Sequence, residues 1–189
     1  MDDLEKLREQ KLSSTEIFNG RLLNVFRDEV RLPDGSTSTR EWIKHPGAAA
    51  VLPVFRNGEV MLIKQYRYPL RQVFYEVPAG KIDANENHRQ TARRELQEET
   101  GLKVEKMQYL SAFQPSIGYT DEVIHLYCAW DITETNKQVD ADEFLLTERV
   151  SFKKAMTWVQ DGKITDGKTM ATLMRAWNWW QQEGPFGIK

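Results

Sequence analysis

The sequence predicts an α+β fold, on three observations. Strand-like alternation of apolar and polar residues fills most of the stretch from Leu22 to Val77. A run of helix formers free of Gly and Pro follows from about Glu86 to Thr100, and two further helical stretches close the chain, so strands mostly precede helices. With 189 residues the chain is long enough to enclose a continuous core, and one domain over residues 1–189 is expected.

Residues up to about Ser14 are charged and lack periodicity, which predicts a frayed helix or arm. Leu22 to Leu32 alternates, Leu32-Pro33-Asp34-Gly35-Ser36 carries turn chemistry, and Thr37 to Lys44 alternates again, which predicts an N-terminal antiparallel hairpin. Ala48 to Phe55 and Val60 to Tyr66 flank Arg56-Asn57-Gly58-Glu59, where Asn-Gly supplies the positive backbone angles of a tight turn; a second hairpin is expected. A strand from Val73 to Val77 leads into Pro78-Ala79-Gly80. The central helix ends at Thr100, and Gly101 stands where a left-handed cap belongs. Strands are expected at Met107 to Phe113 and Val123 to Trp130, then helices from about Ser151 to Gln160 and from Gly167 to Gln182. The Trp-rich segment Ala176-Trp177-Asn178-Trp179-Trp180 reads as core or dimer packing ahead of a ligand cage.

A net charge of -2 supplies no basic footprint, so nucleic acid is a disfavoured partner. Cys128 is the only cysteine and sits in an apolar run, which reads as a buried structural thiol and excludes a disulfide framework. No apolar run approaches the length of a membrane span, and a cytoplasmic protein is expected. His45, His88 and His125 lack the paired spacing of metal ligands and read as structural or exposed.

On the central helix Glu95, Glu98 and Glu99 lie at i, i+3 and i+4, so three like charges converge within a turn. A solvated acidic face is the ordinary reading of such a run. Two details point elsewhere. At about 100° per residue, Glu99 projects between Ala92 and Leu96, the apolar pair available to pack this helix on a sheet, and a semi-buried carboxylate needs a cation. Arg94 adjoins Glu95 without, on this reading, standing among the three carboxylates as a full neutraliser. What is left is a surplus of hard oxygen ligands suited to Mg²⁺ or Mn²⁺ rather than zinc.

The string Gly80-Lys81-Ile82-Asp83-Ala84-Asn85-Glu86, then seven residues, then Arg94-Glu95-Leu96-Gln97-Glu98-Glu99-Thr100-Gly101-Leu102 resembles the Nudix box, with every defined position filled. The resemblance implies a loop-helix-loop on an α/β/α sandwich with a mixed central sheet, in which helix carboxylates hold a divalent metal against a diphosphate and water is the nucleophile. Glu95, Glu98 and Glu99 would be metal ligands, joined by the backbone carbonyl of Ala79, and Glu98 and Glu99 would also be catalytic. Glu86 and Arg94 would form a scaffolding ion pair, and Gly80 and Gly101 would permit backbone turns that a side chain forbids.

Lys64-Gln65-Tyr66-Arg67-Tyr68-Pro69, Glu76-Val77-Pro78-Ala79-Gly80 and Pro115-Ser116-Ile117-Gly118-Tyr119-Thr120-Asp121-Glu122 are similar to the ADP-ribose pyrophosphatase group within that family. The resemblance covers about Thr15 to the C-terminal helices. By it, Arg67 and Glu76 would contact the nucleotide, Arg67 otherwise being a surface cation. Glu143, with Asp142 as runner-up, would be the loop carboxylate that acts as base, against the alternative of a solvated charge run. It also implies a homodimer to which residues 1–45, as an arm and strands, contribute. Trp42 would stack the base or serve as a core or interface tryptophan. Gly118 stands later after Pro115 than is usual in the group, which bears on loop shape and sugar preference. The expected activity is hydrolysis of the diphosphate of nucleoside diphosphate sugars, ADP-ribose foremost, giving AMP and ribose 5-phosphate. The alternatives are another Nudix substrate, a non-catalytic ADP-ribose-binding module, and a dimeric scaffold with an acidic surface helix.

Overall fold

A computed structural model of the chain describes residues 3–137 and 144–187. The chain divides into two compact units, Met1–Pro46 with Ser116–Glu122, and Gly47–Pro115 with Val123–Lys189.

The first unit is a three-stranded antiparallel sheet of β1 (Gln10–Asn19), β2 (Asn24–Arg31) and β3 (Thr37–Lys44), with β2 in the middle. The β2–β3 hairpin is the expected one, running from Arg31↔Thr37 to Asn24↔Lys44 around a turn in which Gly35 has φ 87°. β1 corrects the expected frayed helix or arm: only Asp3–Leu7 forms a 3-10 turn, and a ten-residue strand follows. Every residue of β1 is exposed, so no one-sided apolar alternation marks it in the sequence. The segment 116–122 belongs to this unit, where the Ile43 N–H donates to the Tyr119 carbonyl (2.8 Å) and the His45 N–H to Asp121 Oδ1 (2.7 Å).

The second unit runs β4 (Ala48–Pro53), β5 (Glu59–Arg67), β6 (Gln72–Glu76), β7 (Ala79–Lys81), α1 (His88–Thr100), β8 (Leu102–Phe113), β9 (Ile124–Glu134), β10 (Leu145–Ser151), α2 (Phe152–Gln160) and α3 (Gly167–Glu183). Its larger sheet, in the order β7-β4-β9-β8, is mixed, because β4 is parallel to β9 and the other pairs are antiparallel. Alternation along the central strands separates two cores. Ala49, Val51, Tyr127 and Ala129 meet Ala92 and Leu96 of α1, whereas Ala50, Leu52, Leu126 and Cys128 meet Phe152 of α2 and Leu173, Ala176 and Trp180 of α3. β4 is buried along its whole length because helices cover both faces. The result is the expected α/β/α sandwich of α+β class.

The second expected hairpin is only a hairpin tip. The Phe55 N–H donates to the Glu59 carbonyl (2.8 Å) and Val54 bridges Val60, but β5 then turns away to pair with β6 and β10 in a separate sheet. Of the Asn-Gly pair only Gly58 has positive φ, 82°, while the Asn57 side chain accepts the Glu59 N–H. β7 and β10 are strands that the alternation pattern does not reveal. Trp180 is buried in the core, as its segment predicts, and burial pushes the Cys128 thiol up to about 12. No helix among the described residues is long and apolar enough to cross a membrane.

Candidate active site

Helix α1 is bounded by local chemistry. Asn87 caps it, its side chain accepting from the Arg89 and Gln90 N–H groups while the Gln90 side chain accepts the Asn87 N–H, a capping box that sets the start at His88 rather than Glu86. Gly101 ends it with φ 72° and donates its N–H to the Gln97 carbonyl. Glu86 therefore lies outside the helix, free of its geometry, and reaches back along it.

Glu86 meets Arg94, whose Nε and Nη2 donate to its two carboxylate oxygens at 3.0 Å each. This is the expected scaffolding pair, but Arg94 does more than the sequence implies. Its Nη1 also donates to Glu95 Oε1 (2.7 Å) and Glu98 Oε2 (3.0 Å), and Asp83 lies 3.5 Å from its Nη2. Arg94 thus reaches two of the three helix carboxylates, because Glu98 is its i+4 neighbour and the guanidinium fork spans both, yet it is not the full neutraliser of the set, as expected. The Glu86 hydrogen bond is the largest cause raising the Arg94 pKa, and the same bond holds the Glu86 carboxyl below its ordinary range. One cation facing Asp83, Glu86, Glu95 and Glu98 still leaves the group strongly negative.

Glu99 is 2% exposed between Ala92 and Leu96, as the helical wheel predicts, and accepts a hydrogen bond from the Ala79 N–H (3.1 Å). The bond ties the helix carboxylate to the backbone of β7. Next to it, Gly80 has a reason different from the one expected. Its φ is not positive; instead a Cβ at this position would sit 1.9 Å from Glu95 Oε1 and 2.1 Å from Glu95 Cδ. Gly80 is needed because the Glu95 carboxylate lies directly against its Cα. Gly101 does need its positive φ, and a Cβ there would also meet the Thr135 carbonyl oxygen at 2.5 Å.

These residues fit a hard divalent cation. The donors are all oxygens from one helical turn, Gly80 makes a cradle that a methyl group would fill, and Arg94 Nη1 already stands as a cation between Glu95 and Glu98. Among the described residues no three acidic, histidine or cysteine side chains form a ready-made metal cluster; Glu95 and Glu98 accept from Arg94, and Glu99 accepts from the Ala79 N–H.

Arg67 and Glu76, named separately from sequence, pair with each other. Arg67 Nε and Nη2 donate to the two oxygens of Glu76 at 2.7 and 2.6 Å, a bidentate pair made possible by the β5–β6 ladder, where Arg67 faces Gln72 and Ile63 faces Glu76. Glu76 is 1% exposed and receives a second cation, Lys168, at the start of α3. Burial pushes the Glu76 pKa up, but Arg67 and Lys168 outweigh it and hold the carboxyl below its ordinary value. A carboxylate this buried, stripped of its cations, would cost the fold about 3–5 kcal/mol. Asp166 completes the cluster: it caps α3 through the Thr169 N–H (3.0 Å), and it accepts from Thr169 Oγ1 (2.5 Å) and Lys168 Nζ (3.0 Å). Thr169 Oγ1 in turn accepts the Val77 N–H (2.9 Å). Asp166, Lys168 and Thr169 were not identified from sequence. Asp166 three residues before Thr169 is a visible cap signal, but the partners at Glu76 and Val77 lie 92 residues away.

The other sequence-named residues are dispersed. Trp42 lies in the N-terminal sheet, stacked on Phe26 with centroids 5.2 Å apart. Glu143 and Asp142 lie outside the described residues. His88 and His125 are not scattered, as their sequence positions suggest, but stack at 3.9 Å, with His88 Nδ1 hydrogen-bonded to the buried Tyr127 hydroxyl. An open cleft of about 540 Å³, lined in part by Phe55, Arg56, Asp131 and Arg149, contains none of the site residues.

A mixed sheet between helical layers, carrying the Glu95-Glu98-Glu99 turn against Ala79-Gly80, defines a class, and the NUDIX domain family matches residues 44–175: the chain belongs to that family. Residues 9–43 match the nucleoside diphosphate sugar hydrolase N-terminal domain. The chain is similar to an ADP-ribose pyrophosphatase of Bacillus subtilis, 37% identical across 88% of this chain and 91% of that protein. It is also similar to a methanol dehydrogenase activator of Bacillus methanolicus, 41% identical across 89% and 92%. A crystal structure of an ADP compounds hydrolase shares the fold, with a TM-score of 0.83 at 20% identity over 94% of this chain and 97% of that one.

Proposed function

We propose that this Nudix protein hydrolyses the diphosphate linkage of nucleoside diphosphate sugars, with ADP-ribose as the leading substrate and AMP and ribose 5-phosphate as products. The observation that carries this reading is the carboxylate turn of α1, closed by Gly80 on one side and by Arg94 on the other. The N-terminal family match and the name of the Bacillus subtilis relative support the substrate class.

In this reading Glu95, Glu98, Glu99 and the Ala79 carbonyl hold Mg²⁺, with Mn²⁺ as an alternative. When bound, the ion would supply neutralisation of the diphosphate oxygens and a lowered pKa for the attacking water. Glu98 and Glu99 act at the reacting centre, and the Ala79 N–H keeps Glu99 in one orientation. Glu86 does not touch substrate; through Arg94 it fixes the loop before α1 to the helix. Arg67 and Glu76 contact the nucleotide, Trp42 stacks its base, and Glu143 serves as the loop base.

The proposal includes a cytoplasmic homodimer, with one domain over 1–189 and residues 1–45 reaching a partner copy. Its support is the exposure of Leu12, Ile17, Phe18, Leu22 and Leu23 on and beside a strand, β1, that has no buried residue. The test is product analysis after incubation with a divalent metal and a panel of ADP-ribose, ADP-glucose, GDP-mannose, ATP and diadenosine polyphosphates. Metal-dependent AMP and ribose 5-phosphate from ADP-ribose are expected. Cleavage of ATP or dinucleoside polyphosphates alone would move the protein to another Nudix substrate class, and binding of ADP-ribose without cleavage would make it a sensor.

A further inference from the structure

The Glu76 cluster holds one cation more than the carboxylate needs. Arg67 already satisfies both Glu76 oxygens, yet Lys168 Nζ also donates to Oε2. The two cations differ in freedom. The Arg67 side chain is 44% exposed, against 14% for Lys168 and 2% for Glu76. Lys168 is fixed from below: Asp166 holds it while capping α3, and Thr169 anchors that same helix start to the Val77 N–H, one residue after Glu76.

We propose that Lys168 is a positioning residue, the standing counter-ion of Glu76, which lets Arg67 leave that carboxylate and give its guanidinium fork to a phosphate of the bound nucleotide. The inference rests on the diphosphate-hydrolase reading given above. Its physical basis is the asymmetry of a buried pair: a carboxylate that loses its only cation is far more costly than one that keeps a second. With Lys168 present, Arg67 exchanges one bidentate anion for another, and carboxylate and phosphate suit the same planar fork. Without Lys168, release of Arg67 would strand Glu76, so the guanidinium stays where it is and the ligand goes unmet.

The test is the affinity, by calorimetry, of a non-hydrolysable α,β-methylene analogue of ADP-ribose, alongside kcat and KM for ADP-ribose. Lys168→Met is expected to weaken binding and raise KM by roughly tenfold or more, with kcat within a few-fold of wild type. Lys168→Arg restores both. In a Glu76→Gln background no charge remains to be stranded, so adding Lys168→Met should change the affinity by less than about twofold. That comparison holds even if Lys168→Met alone fails to fold. Wild-type affinity in Lys168→Met, or a further loss when Lys168→Met is added to Glu76→Gln, overturns the inference; the second result would mean that Lys168 meets the ligand itself. The two readings fail differently. Normal wild-type turnover with an unmoved Lys168→Met variant removes only this inference, whereas a wild-type protein that neither binds the analogue nor cleaves any diphosphate sugar removes both.

Discussion

Gly80→Ala is the substitution whose effect the structure dictates most directly. The added Cβ would lie 1.9 Å from Glu95 Oε1, and ordinary contact begins near 3.4 Å, so the carboxylate must retreat by about 1.5 Å. Glu95 can do so, because the obstructed atoms are the end of a flexible side chain and not backbone. The fold should therefore survive, with a stability change of about 1–2 kcal/mol from the lost Glu95–Arg94 bond. Function should not survive as well, since metal and catalytic groups tolerate displacement of only about 0.5 Å. A misplacement of about 1 Å costs on the order of 10²-fold in rate. Thermal unfolding with increasing Mg²⁺, together with turnover of ADP-ribose, separates the two effects. The expected result is a melting temperature lower by only a few degrees without metal, a weakened metal-dependent rise, and turnover lower by about 10²-fold. Gly187→Ala, whose Cβ meets nothing within 4 Å, is the control. A Gly80→Ala protein with wild-type metal response and turnover would refute the account of the cradle.

Two other perturbations test other parts of the structure. Gly101→Ala should behave oppositely to Gly80→Ala: a non-glycine at φ 72° facing the Thr135 carbonyl at 2.5 Å costs about 2 kcal/mol or more, seen as a drop of roughly 4–8 °C in melting temperature. Burial, then the neighbouring His88, lowers the His125 pKa below its ordinary 6.5. The unfolded chain therefore binds more protons in the window below 6.5, and this contribution to stability is lost as pH falls through the folded-state value. Urea unfolding of wild type and His125→Gln at about pH 7.5 and about pH 5.5 should show a smaller acid loss in the variant, and equal losses would remove His125 as a source.

How much of this was legible in the sequence follows the range of the interactions. The α1 turn was readable because its spacing is local: Glu95, Glu98 and Glu99 must share a side, Glu99 must enter the Ala92–Leu96 seam, and Gly101 marks the end. The reach of Arg94 to Glu98 is also local, an i to i+4 contact, and was missed because one guanidinium was allotted to one carboxylate. Strand pairing was less readable. Asn57-Gly58 announces a reversal of the chain, but nothing nearby states that the strands on either side enter different sheets. β1 gave no pattern because neither of its faces is buried. Lys168 lay furthest out of reach, since its partner Glu76 is 92 residues away and becomes its neighbour only when α3 packs on the sheet.

The central claim is that the α1 carboxylates hold the divalent metal that drives diphosphate hydrolysis. Glu99→Gln tests it most directly, because Gln can still accept the Ala79 N–H while lacking the ligand charge. Steady-state hydrolysis of ADP-ribose over a Mg²⁺ titration, with circular dichroism as a check on folding, is predicted to show a folded variant slower by orders of magnitude. A folded Glu99→Gln protein with wild-type turnover and wild-type metal dependence would contradict the account.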